Sequence, residues 1–277
     1  MNPYKAYEDY VIGSVRLMIW YVWKLAFHRE PPTPISEALD QRVDILRKTM
    51  LYDGRHPALG LNPPNEKWDN LKSDLEATFY SHATATNTDA LEGKCWEILA
   101  PLILPNLREK FQNIRQVIES PYSCWRYSFL SKHGLKPELI NCIDIHFYNA
   151  FSPESPFKPP QLHQVTQDLL RVLEDAKKAH TTAKKVVCGS WLNQLPPFLK
   201  FFPSTWTESF EAWEFSSGTA GHWGQYMDRR GAFHRHNASK FRDLGKHPYT
   251  FGICHCDIDN AIHYVREQLH QEVVYAD

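Results

Sequence analysis

One histidine stands near the end of a predicted β-strand. Residues 139–148 alternate and are rich in β-branched and aromatic side chains, which predicts a strand, and His146 lies near its carboxyl end. Asn149 follows it, ahead of a proline-rich loop. In α/β sheets the loops after carboxyl strand ends line the ligand crevice, and an imidazole there can act as a general base near neutral pH. We interpret His146 as a candidate catalytic base or orienting group and Asn149 as a candidate substrate-binding residue. A core histidine hydrogen-bonded within the strand is the alternative.

A Gly-Ser corner follows the next predicted strand, residues 184–190. A strand that turns at Gly and Ser into a helix can expose Ser190 and aim backbone N–H groups at an anion or oxyanion. The G-x-S-x-G nucleophile motif is absent, because Leu192 and Asn193 stand where a second glycine would be needed. We therefore expect Ser190 to donate a hydrogen bond rather than act as nucleophile. Trp191 and Asn193 are candidate substrate-binding residues, and Trp191 as a core side chain is the alternative.

A third polar stretch, residues 221–228, has the sequence GHWGQYMD. Helical spacing would place His222, Gln225 and Asp228 on one face, beside the large ring of Trp223. We predict a catalytic hydrogen-bonding role for Gln225 and substrate-binding roles for His222, Trp223 and Asp228. A solvated helix face is the alternative interpretation.

Histidine and cysteine residues near the end of the chain raise the question of a metal. His234 and His236 form one pair, and Cys254 and Cys256 would point to the same side of a strand. The spacing matches neither a zinc finger, nor H-E-x-x-H, nor the paired E-x-x-H of a di-iron site. We therefore expect no metal site, while a metal-dependent oxygenase or hydrolase stays open as an alternative.

The elements that must position these residues alternate in type after about residue 139. A strand, a long amphipathic helix and a second strand in succession are typical of an α/β layer with crossover connections. The predicted elements are strands at 139–148, 184–190, 210–215 and 249–255, and helices at 161–180, 221–229, 234–244 and 257–271, with Asp257 as the cap of the last helix.

The first half of the chain is predicted to be helical. Apolar residues recur at helical spacing, and Ser36 is the expected N-cap of the second helix. We predict an α/β fold in which an N-terminal helical half, residues 1–135, packs on the small mixed sheet of residues 136–277, as one compact unit. The predicted helices cover 4–28, 36–51, 66–83, 88–99 and 106–119.

Composition excludes several classes of partner. The 277 residues carry a formal net charge of −1, so no overall charge favours nucleic acid or an anionic membrane. The apolar segment 11–27 contains Arg16 and Lys24 and is short, which favours a buried or amphipathic helix over a membrane span. No secretory leader is recognised, so the six cysteines are expected to be reduced and the protein cytoplasmic.

Several cofactor motifs are absent from the sequence. There is no G-x-G-x-x-G for a dinucleotide, no G-x-x-x-x-G-K-[ST] phosphate loop and no kinase signature set. The chain has nine Trp, thirteen Tyr and fifteen Phe, which favours large aromatic surfaces in a core or a pocket.

Three segments together resemble known proteins. They are IHFYN at 145–149 with the prolines that follow, SWLNQ at 190–194 with Phe202-Pro203, and WGQ at 223–225. Residues 140–215 are similar to uncharacterised microbial α/β proteins and to the C-terminal part of GNAT-like N-acyltransferases. The resemblance implies acyl transfer with acyl-coenzyme A as a possible cofactor. Residues 149–160 carry prolines in place of that family's glycine-rich pyrophosphate loop.

These observations favour a small-molecule enzyme, such as a tailoring enzyme of specialised metabolism, that transfers an acyl or related group in an aromatic-lined pocket. His146, Ser190 and Gln225 have the predicted catalytic roles, and Trp191 and Trp223 form apolar walls. The metal-dependent enzyme is one alternative, and a non-catalytic binding or scaffold protein is another. Substrate and oligomeric state are left open by the sequence.

Overall fold

The structure is a computed structural model that describes residues 2–59, 66–118, 120–130, 139–213 and 220–274. Helices dominate the N-terminal part, and a five-stranded mixed sheet follows, so the predicted α/β fold is confirmed. The chain divides into two compact units, which do not follow a single sequence boundary. A helical unit comprises Met1–Ile114 and Glu214–Pro248, and a sheet unit comprises Arg115–Trp213 and Tyr249–Asp277.

The helical unit is built around a long first helix whose centre is buried. Asn2 accepts a hydrogen bond from the backbone N–H of Tyr4, which satisfies one of the free donors at the helix start. Val15, Leu17 and Ile19 have no exposed surface and lie in the core of this unit. Its helices are α1 (Pro3–Phe27), α2 (Ile35–Gln41), α3 (Glu66–Tyr80), α4 (Asp89–Ile103), α9 (Ala220–Trp223), α10 (Arg235–Leu244) and the first part of α5 (Leu107–Ile118), which continues into the sheet unit from Arg115.

The predicted second helix is wrong in its start and in its length. Helix α2 begins after Pro34, which provides no side-chain cap, so Ser36 is not the N-cap. The helix ends at Gln41, and a short 3-10 turn, Leu46–Lys48, replaces its predicted second half. The buried carboxylate of Asp44 lies between α2 and this turn and forms an ion pair with Arg47 at 2.7 Å. Local polar contacts thus compete with the helix, as is common for Asp.

Helix α1 is, among the described residues, the one helix that is long and apolar enough to cross a membrane. In its most apolar window, 61% of the residues are buried within the structure. Core helices and signal sequences share this length and composition.

The sheet unit has the strand order β1-β2-β3-β5-β4. The β2–α6–β3 segment is a parallel crossover, as predicted, whereas β1 pairs with β2, and β5 with β3 and β4, in antiparallel orientation. The strands are β1 (Trp125–Leu130), β2 (Cys142–Phe147), β3 (Lys185–Ser190), β4 (Glu211–Ala212) and β5 (Gly252–Asp257), and the helices are α6 (Gln161–Ala179), α7 (Pro196–Leu199), α8 (Ser204–Glu208) and α11 (Ile258–Val274).

The two faces of this sheet differ in character. One face, called the inner face, packs on α6 and α11 and includes Ile145, Val186 and Cys254 in a closed hydrophobic core. Because side chains alternate along strands, Asp144 and His146 belong to the opposite, outer face. Among the described residues, the outer face carries a smaller apolar cluster, which includes Cys142 and Val187. The outer face is therefore where polar chemistry is found.

Two strands depart from the prediction. Strand β1 lies within residues 1–135, which the sequence predicts to be helical, and it contradicts that prediction because it pairs with β2 over its full length. The predicted third strand, 210–215, is reduced to the two residues of β4, and residues 214–215 lie outside the described part of the chain. The predicted helix 221–229 consists of α9 and a 3-10 turn, Gly224–Tyr226.

The cap of the last helix is as predicted. Asp257 Oδ1 accepts hydrogen bonds from the backbone N–H groups of Asp259 and Asn260 at 2.9 and 3.0 Å. These are two of the donors that the first turn of α11 leaves without intrahelical partners.

Candidate functional site

The predicted site residues are distributed over both units. His146, Asn149, Ser190, Trp191 and Asn193 belong to the sheet unit. The other four, His222, Trp223, Gln225 and Asp228, belong to the helical unit.

His146 lies on the outer face of the sheet with its side chain 53% exposed. Its Nε2 atom lies 3.5 Å from Oδ2 of Asp144 and 3.3 Å from Oγ of Ser128. Asp144 is two residues earlier on β2, and Ser128 is the direct partner of Asp144 on β1. Strand alternation and pairing thus bring an acid, an imidazole and a hydroxyl to one place.

This group differs from a Ser-His-Asp triad, in which the serine and the carboxylate use different ring nitrogens. Here both contacts meet Nε2. A proton on Nε2 can be donated to Oγ of Ser128, with the carboxylate of Asp144 3.5 Å away, which leaves the lone pair on Nδ1, and none of the hydrogen bonds between described residues involves Nδ1. The arrangement is suited to a general base at Nδ1 that Asp144 orients, and not to an activated Ser128.

Asp144 is largely buried beneath His146, with 21% of its side chain exposed. Burial raises the pKa of Asp144, and the nearby imidazole of His146 lowers it. A carboxylate in such a position prefers a partly positive neighbour, so the two groups hold each other in place.

Arg126 is a member of this face that the sequence interpretation missed. It is the direct cross-strand partner of His146 in the β1–β2 pair, so both side chains project to the outer face. Burial lowers the pKa of Arg126, and the hydroxyl of Tyr148 raises it. Alternation in the segment WRYSFL, 125–130, was the available signal for this strand.

An aromatic ring lies over the next strand. Gly189 of β3 has its α-carbon on the outer side of the sheet, and a Cβ atom there would lie 3.3 Å from Cζ of Phe251. The ring of Phe251 therefore occupies the space that any larger residue at 189 would need. Continuing the parallel register of β2 and β3 from Asp144 and Val187 places Gly189 level with His146.

Ser190 and His146 lie at the same edge of the sheet but on opposite faces. The parallel pairing of β2 and β3 brings their carboxyl ends together, while alternation places Ser190 with Cys188 on the inner face. Ser190 Oγ accepts a hydrogen bond from Leu192 N–H at 3.1 Å and so caps the short turn Trp191–Gln194. Its observed role is local and structural.

Trp191 is half-buried at this edge, with its ring centroid 5.3 Å from that of Tyr249. It is therefore not a core side chain. Since part of the indole is exposed, it is still a candidate contact for a ligand.

Asn193 and Asn149 both organise loops. The buried Asn193 donates to the carbonyls of Cys188 and Gly252, at 2.9 and 3.0 Å, and accepts from Trp206 Nε1 at 3.2 Å. Asn149 accepts from Phe151 N–H at 3.0 Å and donates to the carbonyl of Glu154 at 2.9 Å. The Nδ2 atom of Asn193 donates two of these hydrogen bonds and its Oδ1 accepts the third, which assigns Asn193 a structural role.

His222 and Trp223 belong to a buried aromatic cluster of the helical unit. The rings of His222 and His247 are 4.1 Å apart, and His247 is also 4.1 Å from the ring of Phe241. His247 Nδ1 lies 2.7 Å from the hydroxyl of Tyr226. Burial lowers the pKa of His222 to about 4 and that of His247 well below its usual value. Both imidazoles are therefore neutral at physiological pH.

Gln225 and Asp228 have local roles in the same unit. Gln225 has no exposed surface, and its Nε2 donates to the carbonyl of His222 at 3.0 Å. Asp228 Oδ1 accepts from the backbone N–H groups of Arg230 and Ala232 at 2.8 and 2.9 Å and closes a turn. A shared helix face for His222, Gln225 and Asp228 is not found, because the helix ends at Trp223.

The described residues contain no group of three or more His, Cys, Asp or Glu side chains that could hold a metal ion. His234 caps α10 by accepting from Asn237 N–H, and its ring centroid lies 6.5 Å from that of His236. Cys254 and Cys256 are buried in the inner core as free thiols.

Comparisons with protein-family models, with curated proteins and with solved structures found no match to this chain. Function is therefore inferred from the positions and contacts of the residues described above.

Proposed function

We propose that this chain is a small-molecule enzyme that transfers an acyl group and uses His146 as its general base. The observation that carries the proposal is the exposed imidazole of His146, whose Nε2 contacts the largely buried carboxylate of Asp144. A solvent-accessible base that a second group holds in one orientation is what proton transfer in acyl chemistry requires. The proposed location is the cytoplasm, and six free thiols are consistent with a reducing compartment.

The proposed step begins with an acceptor amine or hydroxyl and an acyl thioester, such as acyl-coenzyme A. Nδ1 of His146 takes the proton of the acceptor as its lone pair forms the new bond to the acyl carbon. The carbon–sulfur bond then breaks, and the imidazolium returns the proton to the departing thiolate. Asp144 stabilises the imidazolium between these two transfers.

The roles of the other predicted residues are narrowed by their contacts. Gln225, with no exposed surface, and Asn193, with its amide occupied, have no part in the proposed step. Ser190 keeps a capping role. The half-buried Trp191 is retained as an apolar contact for substrate, and the proposed substrate is a small molecule rather than nucleic acid.

The test is an assay for coenzyme A release from acetyl-, butyryl- and benzoyl-coenzyme A with a panel of amines and alcohols. We expect His146→Gln to lower kcat by about 10²- to 10⁴-fold, the usual contribution of a general base. His263→Gln, which changes an exposed histidine of α11, is the matched control and should leave kcat unchanged.

The same panel distinguishes the proposal from a binding protein. A bound donor at about 100 times its Kd should add roughly 2.7 kcal/mol to the free energy of unfolding, seen as a rise in Tm. If no acyl-coenzyme A raises Tm or is turned over, acyl transfer is refuted. If a donor binds and none is turned over, the chain is a binding protein. If a donor is turned over and His146→Gln leaves kcat unchanged, His146 is not the base.

A further inference from the structure

Two backbone carbonyls hold the amine of one lysine in the helical unit. Nζ of Lys110, in α5, donates to the carbonyl oxygens of Arg47 and Thr49 at 2.8 and 2.7 Å. These two residues flank Lys48 in the segment that follows α2. Lys110 is half-buried, so its amine is partly removed from water and is still reachable from solvent.

The surroundings of Lys110 disfavour its charged form. Burial, followed by the positive charge of Lys48, lowers the pKa of Lys110 from 10.5 to about 8, although the charges of Asp44 and Glu109 act in the opposite direction. The carboxylate of Asp44 already contacts Arg47 and Lys48, at 2.7 and 3.8 Å. Near neutral pH the amine of Lys110 is therefore more readily deprotonated than that of an ordinary lysine.

The two hydrogen bonds of Lys110 match the neutral amine. An ammonium group has three N–H donors and no lone pair, whereas the neutral amine has two N–H donors and one lone pair. The two carbonyls accept both N–H donors of the neutral form, so its lone pair takes the remaining tetrahedral direction. For the third N–H of the ammonium form, the described residues provide no acceptor. The carbonyls thus orient the form of lysine that acts as a nucleophile.

We infer that Lys110 is an acylation site of this chain and that its amine reacts with acyl thioesters. The Nζ lone pair attacks the thioester carbonyl carbon and forms an amide bond, the carbon–sulfur bond breaks, and the thiolate leaves with the proton that the nitrogen loses. The product has no positive charge and one N–H, so it can donate to only one of the two carbonyls. Acylation therefore changes how α5 is bound to residues 47–49. Lys110 and its contacts belong to the helical unit, so the inference does not rest on the proposed role of His146.

The experiment treats the full chain at pH 8 with the acetyl thioester of N-acetylcysteamine and follows the acetylation rate of each lysine by peptide mass spectrometry. Lys178, an exposed lysine of α6, is the internal control. About half of the Lys110 amines are deprotonated at this pH, compared with roughly 0.3% for an ordinary lysine, although a less basic amine is a weaker nucleophile. We expect Lys110 to react at least about tenfold faster than Lys178.

The pH dependence of the rate is a second readout. The acetylation rate of Lys110 should rise up to about pH 8 and level off by about pH 9, because the amine is then mostly deprotonated. A lysine with the ordinary value of 10.5 continues to gain rate up to pH 10. In guanidinium chloride, where the chain is unfolded, Lys110 should lose its advantage over Lys178.

Two variants assign the effect to the surroundings of Lys110. Lys48→Gln removes the neighbouring positive charge, which raises the pKa of Lys110 and should slow its acetylation at pH 8 at least about twofold. Lys67→Gln, exposed on α3 of the same unit, changes the net charge equally and should leave the rate unchanged. Circular dichroism checks that both variants fold, and the wild-type rates decide the question if Lys48→Gln does not. The inference is overturned if Lys110 reacts no faster than Lys178, if its rate still rises about tenfold per pH unit above pH 9, or if the two variants react equally.

Failure here and failure of the proposed function give different results. His146→Gln should acetylate at Lys110 at the wild-type rate, since the reaction depends on contacts within the helical unit. Loss of acetylation in that variant would overturn the inference, because Lys110 would then be modified only through the activity of His146. Rapid acetylation of Lys110 without acyl transfer to any added amine or alcohol would refute the proposed function and leave the acylation site standing.

Discussion

At the scale of single residues, environment separates the histidines of this chain. His146 is 53% exposed beside a carboxylate, whereas His222 is buried among aromatic rings and its pKa is lowered to about 4. An imidazole must reach substrate to transfer a proton, so His146 is suited to chemistry and His222 to packing. The sequence made both of them candidate site residues, His146 as a base and His222 as a substrate contact, because residue type alone does not report exposure.

Asn193 provides a prediction about stability. Its amide makes three hydrogen bonds that join the ends of β3 and β5 to Trp206. Asn193→Ala leaves buried carbonyls and an indole N–H without partners, so we expect a loss of about 2–4 kcal/mol in the free energy of unfolding. Urea denaturation measures it. The exposed Asn260→Ala should change stability by less than about 0.5 kcal/mol, and an equal loss in both variants would contradict the role of Asn193.

The cysteines provide a second prediction at this scale. All six are free and buried, and burial raises the pKa of Cys124 to about 11 and that of Cys254 to about 12. Because the thiolate is the reactive form, the native protein should react negligibly with a disulfide reagent such as DTNB at pH 8. All six thiols should react once the chain is unfolded in guanidinium chloride. Rapid labelling of any thiol in the native protein would show that its burial is wrong.

At the scale of elements, the outer-face site is a product of strand pairing. The β1–β2 pair brings Arg126 and Ser128 to β2, and the parallel crossover through α6 brings Gly189. Strands β1 and β2 each contribute two polar side chains to the outer face, and β3 contributes Gly189. The alternate positions of these strands face the inner core. No strand could present this set of side chains alone.

The close contact between Gly189 of β3 and the ring of Phe251 leads to a prediction about packing. A valine there has no space beneath the ring of Phe251, so Gly189→Val should displace the ring and lower the free energy of unfolding by about 1–3 kcal/mol. The control is Gly93→Ala in α4, where nothing lies within 4 Å of the added Cβ; it should stabilise by about 0.5–1 kcal/mol through helix propensity. Thermal unfolding and the NMR shifts of Phe251 give both answers. Unchanged stability and an unshifted ring in Gly189→Val would disprove this packing.

At the scale of the whole molecule, stability should depend on pH through buried histidines. Burial lowers the pKa of His222 to about 4, and burial and then the charge of Arg47 lower that of His56 to about 4, compared with 6.5 for an ordinary histidine. Between pH 6.5 and pH 4 the unfolded chain therefore binds more protons than the folded chain, and the free energy of unfolding falls as the pH falls.

The expected size is about 2 kcal/mol for each of these histidines between pH 7 and pH 5. His222→Gln should reduce the difference between these two pH values by that amount, whatever it does to stability at pH 7. The exposed His263→Gln should not reduce it. Urea denaturation at both pH values measures the differences. An unchanged difference in His222→Gln would show that the imidazole is protonated in the folded state.

How far the fold follows from sequence depends on how local its signals are. The apolar periodicity of α6 and the alternation of β2 and β3 predicted these elements to within a few residues, and Asp257 was identified as a cap. Ser36 failed as a cap because the helix begins at Ile35, directly after Pro34, and Ser36 lies inside its first turn. Strand β1 was not recognised, because the alternation of its six residues is a short signal and its place in the sheet depends on pairing with β2.

The sequence by itself determined the α/β class, the parallel crossover and the position of His146 near a carboxyl strand end, because periodicity and spacing act over a few residues. Only the tertiary structure decided which face each side chain occupies and what lies beside it. It paired Arg126 with His146, put the ring of Phe251 over Gly189, enclosed Gln225 and put Ser190 on the opposite face. The physical reason is that strand register and burial arise from contacts between residues far apart in the chain, which no local pattern records.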